Sequence, residues 1–134
     1  MRYMLDTNIC IHAIKNRPAS VLAALRAHEP AGIGISSISV AELCFGAEKS
    51  GSSRNLLALQ HFLEPLEIAD FDMAAAQAYG GLRHLLEKSG TPIGPLDTQI
   101  AAHALALGVS LVTNNLREFA RVPGLRLENW AEMP

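Results

Sequence analysis

The sequence predicts an α/β fold in three layers, α/β/α, with helices on both faces of a central, mainly parallel sheet of four to five strands. Three observations predict it. Short apolar runs alternate with stretches that carry the helical apolar period. No hairpin dipeptide joins any two of those runs, so helices separate successive strands and the pairing is parallel. The chain is also apolar enough to cover both faces of a sheet, with 49% hydrophobic residues against 18% charged. Its 134 residues are one domain's worth, since domains commonly hold about 100–150. Residues 1–134 are therefore expected to form a single domain.

Residues 2–5 form a short strand that stops at Asp6, and residues 8–15 a first helix that ends before Pro18. Ala19–His28 carries Val21, Leu22 and Leu25 at helical spacing and ends at Glu29-Pro30, because the residue before proline is pushed out of the helical region. Residues 32–36 read as a second strand. Residues 37–49 are a helix with apolar positions Val40, Leu43, Cys44 and Ala47, closed by Ser50-Gly51, and residues 55–63 are another. Residues 66–69 are a third strand. Asp72 is a good N-cap for a long helix over Met73–Lys88, with Gly90 just past its end. Thr91 to Gly94 is a loop. Pro95 suits the first turn of a helix that runs to about Leu107 and stops at Gly108. Residues 109–113 are a fourth strand and residues 125–128 a possible fifth. The Leu/Ala-rich stretches 21–25, 56–63 and 74–86 read first as core faces.

Eleven Lys and Arg against thirteen Asp and Glu give a net charge of −2. A constitutive nucleic-acid coat, which needs a strong basic excess, is excluded. An enzyme that meets nucleic acid through a metal ion is not. The two cysteines, Cys10 and Cys44, have apolar neighbours and no metal-binding spacing, and both read as buried free thiols. An acid within six residues of the start, Asp6, argues against a signal peptide. No stretch reads as a membrane span, so a reducing cytoplasm is the expected location.

The informative residues are acids. Asp6 ends the first strand in Tyr3-Met4-Leu5-Asp6-Thr7-Asn8, at the edge of the sheet where α/β folds bind ligands. Asp, Thr and Asn there also cap helices, so that alternative stays open. Glu42, in Ile38-Ser39-Val40-Ala41-Glu42-Leu43, falls in the first turn after the second strand and faces the same edge. Ser39 and Glu42 also have the spacing of a capping box, in which Glu42 reaches back to a backbone N–H. Asp97 lies in the first turn of its helix, in Gly94-Pro95-Leu96-Asp97-Thr98-Gln99-Ile100-Ala101, where the helix dipole favours an acid. After the fourth strand, Val112-Thr113-Asn114-Asn115-Leu116-Arg117-Glu118-Phe119 offers Thr113 and Asn115 as oxygen acceptors and Glu118 one turn on. A polar turn with a solvated Glu is the plainer alternative there.

Carboxylates brought together repel and raise each other's pKa unless a cation neutralises them. Oxygen ligands without Cys or His fit Mg²⁺ or Mn²⁺ rather than zinc. Such a site polarises a phosphoryl oxygen and deprotonates a water for in-line attack. The five histidines, His12, His28, His61, His84 and His103, show no ligand spacing.

In this order and at this spacing, the pieces resemble a PIN-domain ribonuclease of the VapC toxin type. The resemblance covers essentially the whole chain. It rests on Tyr3 to Asn8 with Ile11 and Lys15, then Ile35-Ser36-Ser37 leading to Glu42-Leu43 and Gly46-Ala47, then Gly94 to Ala101 and Val112 to Phe119. It implies a PIN-like fold in which Asp6, Glu42 and Asp97 hold the metal, Mg²⁺ or Mn²⁺. Glu118 would be a further catalytic carboxylate, since Asn115 stands where many PIN domains carry a fourth acid. Thr7, Asn8, Thr113 and Asn115 would support the acids. The resemblance also implies endonucleolytic cleavage of structured RNA such as tRNA, leaving a 5′-phosphate and a 3′-hydroxyl. It implies a cognate VapB antitoxin that inhibits by occupying the toxin groove, and operator DNA bound only through that antitoxin. A toxin homodimer, a higher assembly with antitoxin, and a bacterial cytoplasmic location complete the expectation.

Lys15 and Arg17, after the first helix, and Arg117 and Arg121, at i and i+4, are the candidates for phosphate contact; each is equally at home on a solvated face. Two other readings bear on function. A PIN fold without catalysis, binding RNA or antitoxin, is kept open by Asn115 and opposed by the three retained acids. A phosphatase of the haloacid-dehalogenase type also begins with a strand ending in Asp, but it needs a second Asp two residues on as general acid–base, and that position is Asn8.

Overall fold

The computed structural model describes residues 1–15 and 18–131. Its five strands are β1 (Tyr3–Leu5), β2 (Ile33–Ser36), β3 (Glu67–Ala69), β4 (Ser110–Val112) and β5 (Leu127–Glu128). Every pairing is parallel, in the order β3-β2-β1-β4-β5. The inner strands β2, β1 and β4 are apolar and nearly closed to solvent, as expected of a parallel sheet covered on both faces. The helices are α1 (Thr7–Lys15), α2 (Ala19–His28), α3 (Ser37–Ser50), α4 (Ser53–Leu63), α5 (Met73–Lys88), α6 (Pro95–Leu107) and α7 (Leu116–Phe119), with a 3₁₀ turn at Glu29–Ala31.

Alternation along the strands sorts the side chains into two cores. Leu5 pairs with Ile35 and Val112, and Met4 with Gly34 and Leu111. Leu5, Ile33, Ile35 and Val112 pack with Ile9, Cys10, Val21, Leu43 and Leu59 of α1–α4. Met4 and Leu111 pack with Leu82, Leu86, Ile100, Ala101 and Ala104 of α5 and α6, and with Phe119. These are the expected three layers. The first core is closed by Trp130, fully buried, which stacks on His28 at 4.6 Å between ring centroids and meets Tyr3 edge-on.

The chain builds outward from β1 to β2 to β3, then returns to place β4 on the other side of β1. That reversal leaves a crevice beyond the carboxyl ends of β1 and β4, the usual ligand position in such sheets. One glycine is required by close approach: a Cβ on Gly34 would lie 2.7 Å from the Glu67 carbonyl oxygen of β3. Another, Gly108, ends α6 with a φ of 69°, a left-handed conformation that side chains resist.

Three local expectations change. Cys10 is buried as expected, but Cys44 is exposed. α3 turns Ser39, Leu43 and Ala47 inward, which rotates Cys44 and Phe45 (68% exposed) to solvent. The fifth strand shrinks to two residues. Residues 116–119 form a short helix that no apolar periodicity announced.

Candidate active site

Asp6 lies one residue past β1. Its N–H donates to the Val112 carbonyl (2.9 Å), which extends the β1–β4 pairing by one step and sets the acid over the crevice. Its Oδ1 accepts from the Thr7 N–H (2.7 Å) and its Oδ2 from the Thr113 hydroxyl (2.8 Å). The Thr113 N–H donates to the Glu128 carbonyl (2.9 Å), so β5 fixes that hydroxyl's backbone. Asp6 is only 3% exposed. Burial raises its pKa, the bonds from Thr113 and Thr7 lower it, and the charges of Glu42 and Glu118 raise it again, for a net rise.

Glu42 belongs to the same frame. Its Oε1 accepts from the Thr7 hydroxyl (2.8 Å), so Thr7 donates to both acids, through its backbone to Asp6 and its side chain to Glu42. The capping box does not form. α3 is capped by Ser36, whose Oγ accepts from the Ile38 N–H (3.1 Å). The helix therefore opens before Ser39, which sits inside it, buried, with its Oγ unpartnered. Glu42 falls one turn further in than expected and is free to face the crevice.

Asp97 and Glu118 meet over Gly94. Gly94 is the N-cap of α6 and has no side chain to cap with. Its N–H donates instead to Glu118 Oε1 (2.9 Å), and Asn115 Nδ2 donates to Glu118 Oε2 (2.6 Å). A Cβ on Gly94 would lie 3.7 Å from both Asp97 Oδ2 and Glu118 Oε1. Burial, then the hydrogen bond and charge of Glu118, then the charges of Asp6 and Glu42, push Asp97 up to about 7. Burial also raises Glu118, but the bonds from Gly94, Asp97 and Asn115, with the charge of Arg121, outweigh it and hold Glu118 below its ordinary value. Of the two, Asp97 is therefore the one that keeps its proton to higher pH, and near pH 7 it is only partly ionised. Asn115 also donates its N–H to Thr113 Oγ1 (2.9 Å). Where an acid is missing at 115, the amide anchors another carboxylate, Glu118.

The remaining candidates divide. Asn8 is exposed, and among the described residues it makes no bond to the carboxylates. Lys15 is exposed and shares an apolar groove of about 260 Å³ with Glu42, Ile11, Ile14, Leu43 and Leu59. Arg117 is exposed beside Glu118. Arg121 donates to the Pro92 carbonyl (2.9 Å) and so braces the loop before α6. Arg17 lies outside the described residues. A cavity of about 380 Å³ includes Gly32 and Glu67 at the amino ends of β2 and β3 and holds none of these acids. Sequence reasoning missed the Gly94 N–H, which has no side chain to signal it, and Ser36 as the cap of α3, obscured by the run of serines at 36, 37 and 39.

Among the described residues, no three His, Cys, Asp or Glu side chains are drawn in to the separations of a formed metal site. The donors still fit a hard divalent cation in kind: four carboxylates that feel one another's charge, an amide oxygen at Asn115, and neither Cys nor His. A cation there would offset the burial and the neighbouring charges that together raise Asp97.

A family model described as PIN domain matches residues 3–125. The tRNA(fMet)-specific endonuclease VapC of Shigella flexneri is 46% identical over 132 residues, covering 98% of this chain and 99% of that protein. Ribonuclease VapC2 of Haemophilus influenzae (strain ATCC 51907 / DSM 11121 / KW20 / Rd) is 48% identical over 132 residues, 97% of this chain and 98% of that one. Among solved structures, VapBC2 from Rickettsia felis bound to a DNA fragment from their promoter matches with a TM-score of 0.90 and 46% identity, over 97% of this chain and 99% of that chain.

Proposed function

The chain belongs to the PIN domain family, and on that footing we propose that it is a VapC-type endoribonuclease, the toxin of a type II toxin–antitoxin pair, with residues 1–134 as one PIN domain. Its cofactor in this reading is Mg²⁺ or Mn²⁺. Asp6, Glu42 and Asp97 would hold it, with Glu118 and Asn115 alongside. When bound, the ion supplies positive charge beside a scissile phosphodiester and a water of lowered pKa.

The chain's own part is orientation and proton control. Thr7 and Thr113 hold both oxygens of Asp6, and Thr7 ties Glu42 to the same frame. Glu118, fixed by Gly94 and Asn115, keeps its charge, while Asp97 is the acid of the pair that holds a proton up to about pH 7. Lys15 and Arg117, both exposed, are the cations for the RNA backbone.

The substrate is structured RNA, tRNA in particular, cut to a 5′-phosphate and a 3′-hydroxyl. The names of the relatives, a tRNA(fMet)-specific endonuclease and a ribonuclease, support this. The likeness to a DNA-bound VapBC2 structure supports a cognate VapB antitoxin that inhibits the enzyme and carries it to operator DNA. A toxin homodimer, a larger assembly with antitoxin, and a cytoplasmic location belong to the same reading. No described helix is long and apolar enough to cross a membrane.

The observation that carries the reading is that Asp97, beside Glu118, feels the charges of Asp6 and Glu42 at the crevice beyond β1 and β4. The test is cleavage of a tRNA pool by purified, antitoxin-free protein, with Mg²⁺ or Mn²⁺ against EDTA, beside Asp6→Asn. Discrete fragments that vanish with EDTA and with the substitution are expected. A folded protein that cuts no RNA with either metal would instead be a catalytically inactive PIN module that binds RNA or antitoxin.

A further inference from the structure

We infer that His103 is a positioning residue for this site: it holds the helix that carries Asp97 against the start of the helix that carries Glu42. The inference rests on the metal-nuclease reading above. His103 sits in the body of α6, 1% exposed, and its Nδ1 lies 2.9 Å from the Ser36 Oγ. Ser36 is fully buried, the last residue of β2 and the N-cap of α3. Glu42 lies six residues after Ser36, and Asp97 six before His103.

One direction of the bond suits the neighbouring groups. Ser36 Oγ already accepts the Ile38 N–H (3.1 Å), so its hydroxyl proton is free to go to His103 Nδ1. That assignment, made from the network, puts the ring proton on Nε2, toward the Asp70 backbone. Burial lowers the pKa of His103 against the pull of Asp72 and Asp70, so the ring is neutral. Phe71 closes the same corner: its ring meets the imidazole edge-on at 5.4 Å, and its N–H donates to Ser37 Oγ (3.0 Å).

The surroundings make this bond decisive. The other buried residues of α6 near His103 are Ile100, Ala101, Ala102 and Ala104. These apolar contacts set how closely α6 packs, and the buried His103–Ser36 bond adds a directional constraint on its rotation. A buried imidazole costs free energy unless it is hydrogen-bonded. The His103–Ser36 bond therefore sets the angular position of α6 against the β2–α3 corner, and with it the approach of Asp97 to Glu42.

The experiment compares His103→Phe, His103→Asn, Ser36→Ala and the double variant Ser36→Ala/His103→Phe in the full chain. Mn²⁺ binding is read by the electron spin resonance of the free ion, and kcat and KM on one RNA that the unaltered protein cuts. Phe keeps a ring against Phe71 but removes both nitrogens. It should weaken Mn²⁺ binding by about tenfold or more and lower kcat in step, with KM for RNA within about twofold. Asn, which offers an oxygen near the Nδ1 position, should stay within about threefold of the unaltered protein on both readings. The double variant should be no worse than the poorer single variant, since both remove one bond. His103→Phe that binds Mn²⁺ and cuts RNA normally, even with a lowered melting point, overturns the inference. If that variant does not fold, Ser36→Ala is judged by the same tenfold criterion. An unaltered protein that neither binds Mn²⁺ nor cuts RNA overturns the nuclease reading and this inference together. One that does both, with indifferent variants, overturns the inference alone.

Discussion

Replacing Asp97 with Asn should stabilise the protein in the absence of divalent metal, and only above a defined pH. The carboxyl titrates at about 7 in the fold, against 3.8 for an ordinary Asp. The raised value means that the fold favours the neutral form. The resulting penalty is absent below about pH 4, grows as the pH rises from about 4 to 7, and is complete above that. At roughly 1.4 kcal/mol per pKa unit, the full shift corresponds to about 4 kcal/mol. Asp97 is only partly buried and shares its proton with Glu118, so solvent screening reduces the figure to about 1–2 kcal/mol. Asn mimics the protonated acid and still donates an N–H toward Glu118. For a domain of this size the gain corresponds to about 3–8 °C in melting temperature. Differential scanning calorimetry in EDTA at pH 8 and at pH 4 measures it directly. In saturating Mg²⁺ the order should narrow or reverse, because only the unaltered site gains from binding. A variant that melts lower at pH 8, or gains as much at pH 4 as at pH 8, refutes the electrostatic reasoning. A normal rate of RNA cleavage by the same variant refutes the site assignment.

Thr113→Val removes the donor to Asp6 Oδ2 and the acceptor of the Asn115 N–H. Urea titration should show a loss of about 1–3 kcal/mol, larger at pH 8 than at pH 4 because only the charged carboxylate misses the bond in full. Gly34→Ala places a methyl 2.7 Å from the Glu67 carbonyl and should cost about 1–3 kcal/mol by forcing β2 and β3 apart, measured by the same titration. Of the two thiols, Cys44 is exposed, while burial and the charge of Asp6 push Cys10 well above the ordinary range. A thiol reagent at pH 8 should therefore modify one cysteine quickly and the second only after denaturation.

The parts of this molecule that local chemistry determines were legible in the sequence. Tyr3-Met4-Leu5 followed by Asp6 announces a buried strand with an acid at its exit, and the structure has that arrangement. Gly94-Pro95 and Gly108 bracket α6 because a proline suits a helix start and a left-handed glycine a helix end. Asp72 caps α5 as its residue type predicts, accepting the Ala75 N–H at 3.0 Å. What depends on distant partners was not legible. The exposure of Cys44 follows from how α3 rotates on α4 and β2, and a stripe of apolar residues does not fix that angle. The reach of Glu118 to the Gly94 N–H joins residues 24 apart through a backbone group that no side chain marks. His103 read as one of five histidines without ligand spacing, and its partner lies 67 residues away.

The bond from Thr113 to Asp6 spans 107 residues, and β4 fills the place beside β1 that the reversal of strand order left open. During synthesis the first strand must wait for Thr113, 107 residues on, before its carboxyl end is completed. Parallel pairing over such a separation is slow to form, so a chain that ends before β4 carries Asp6, Glu42 and Asp97 without the Thr113 hydroxyl, the Asn115 amide or the Glu118 carboxylate that complete the crevice. A message cut short before β4, or a ribosome stalled there, yields a product with no assembled site. In this order of assembly the crevice stays unfinished until β4 and the residues just after it have been made.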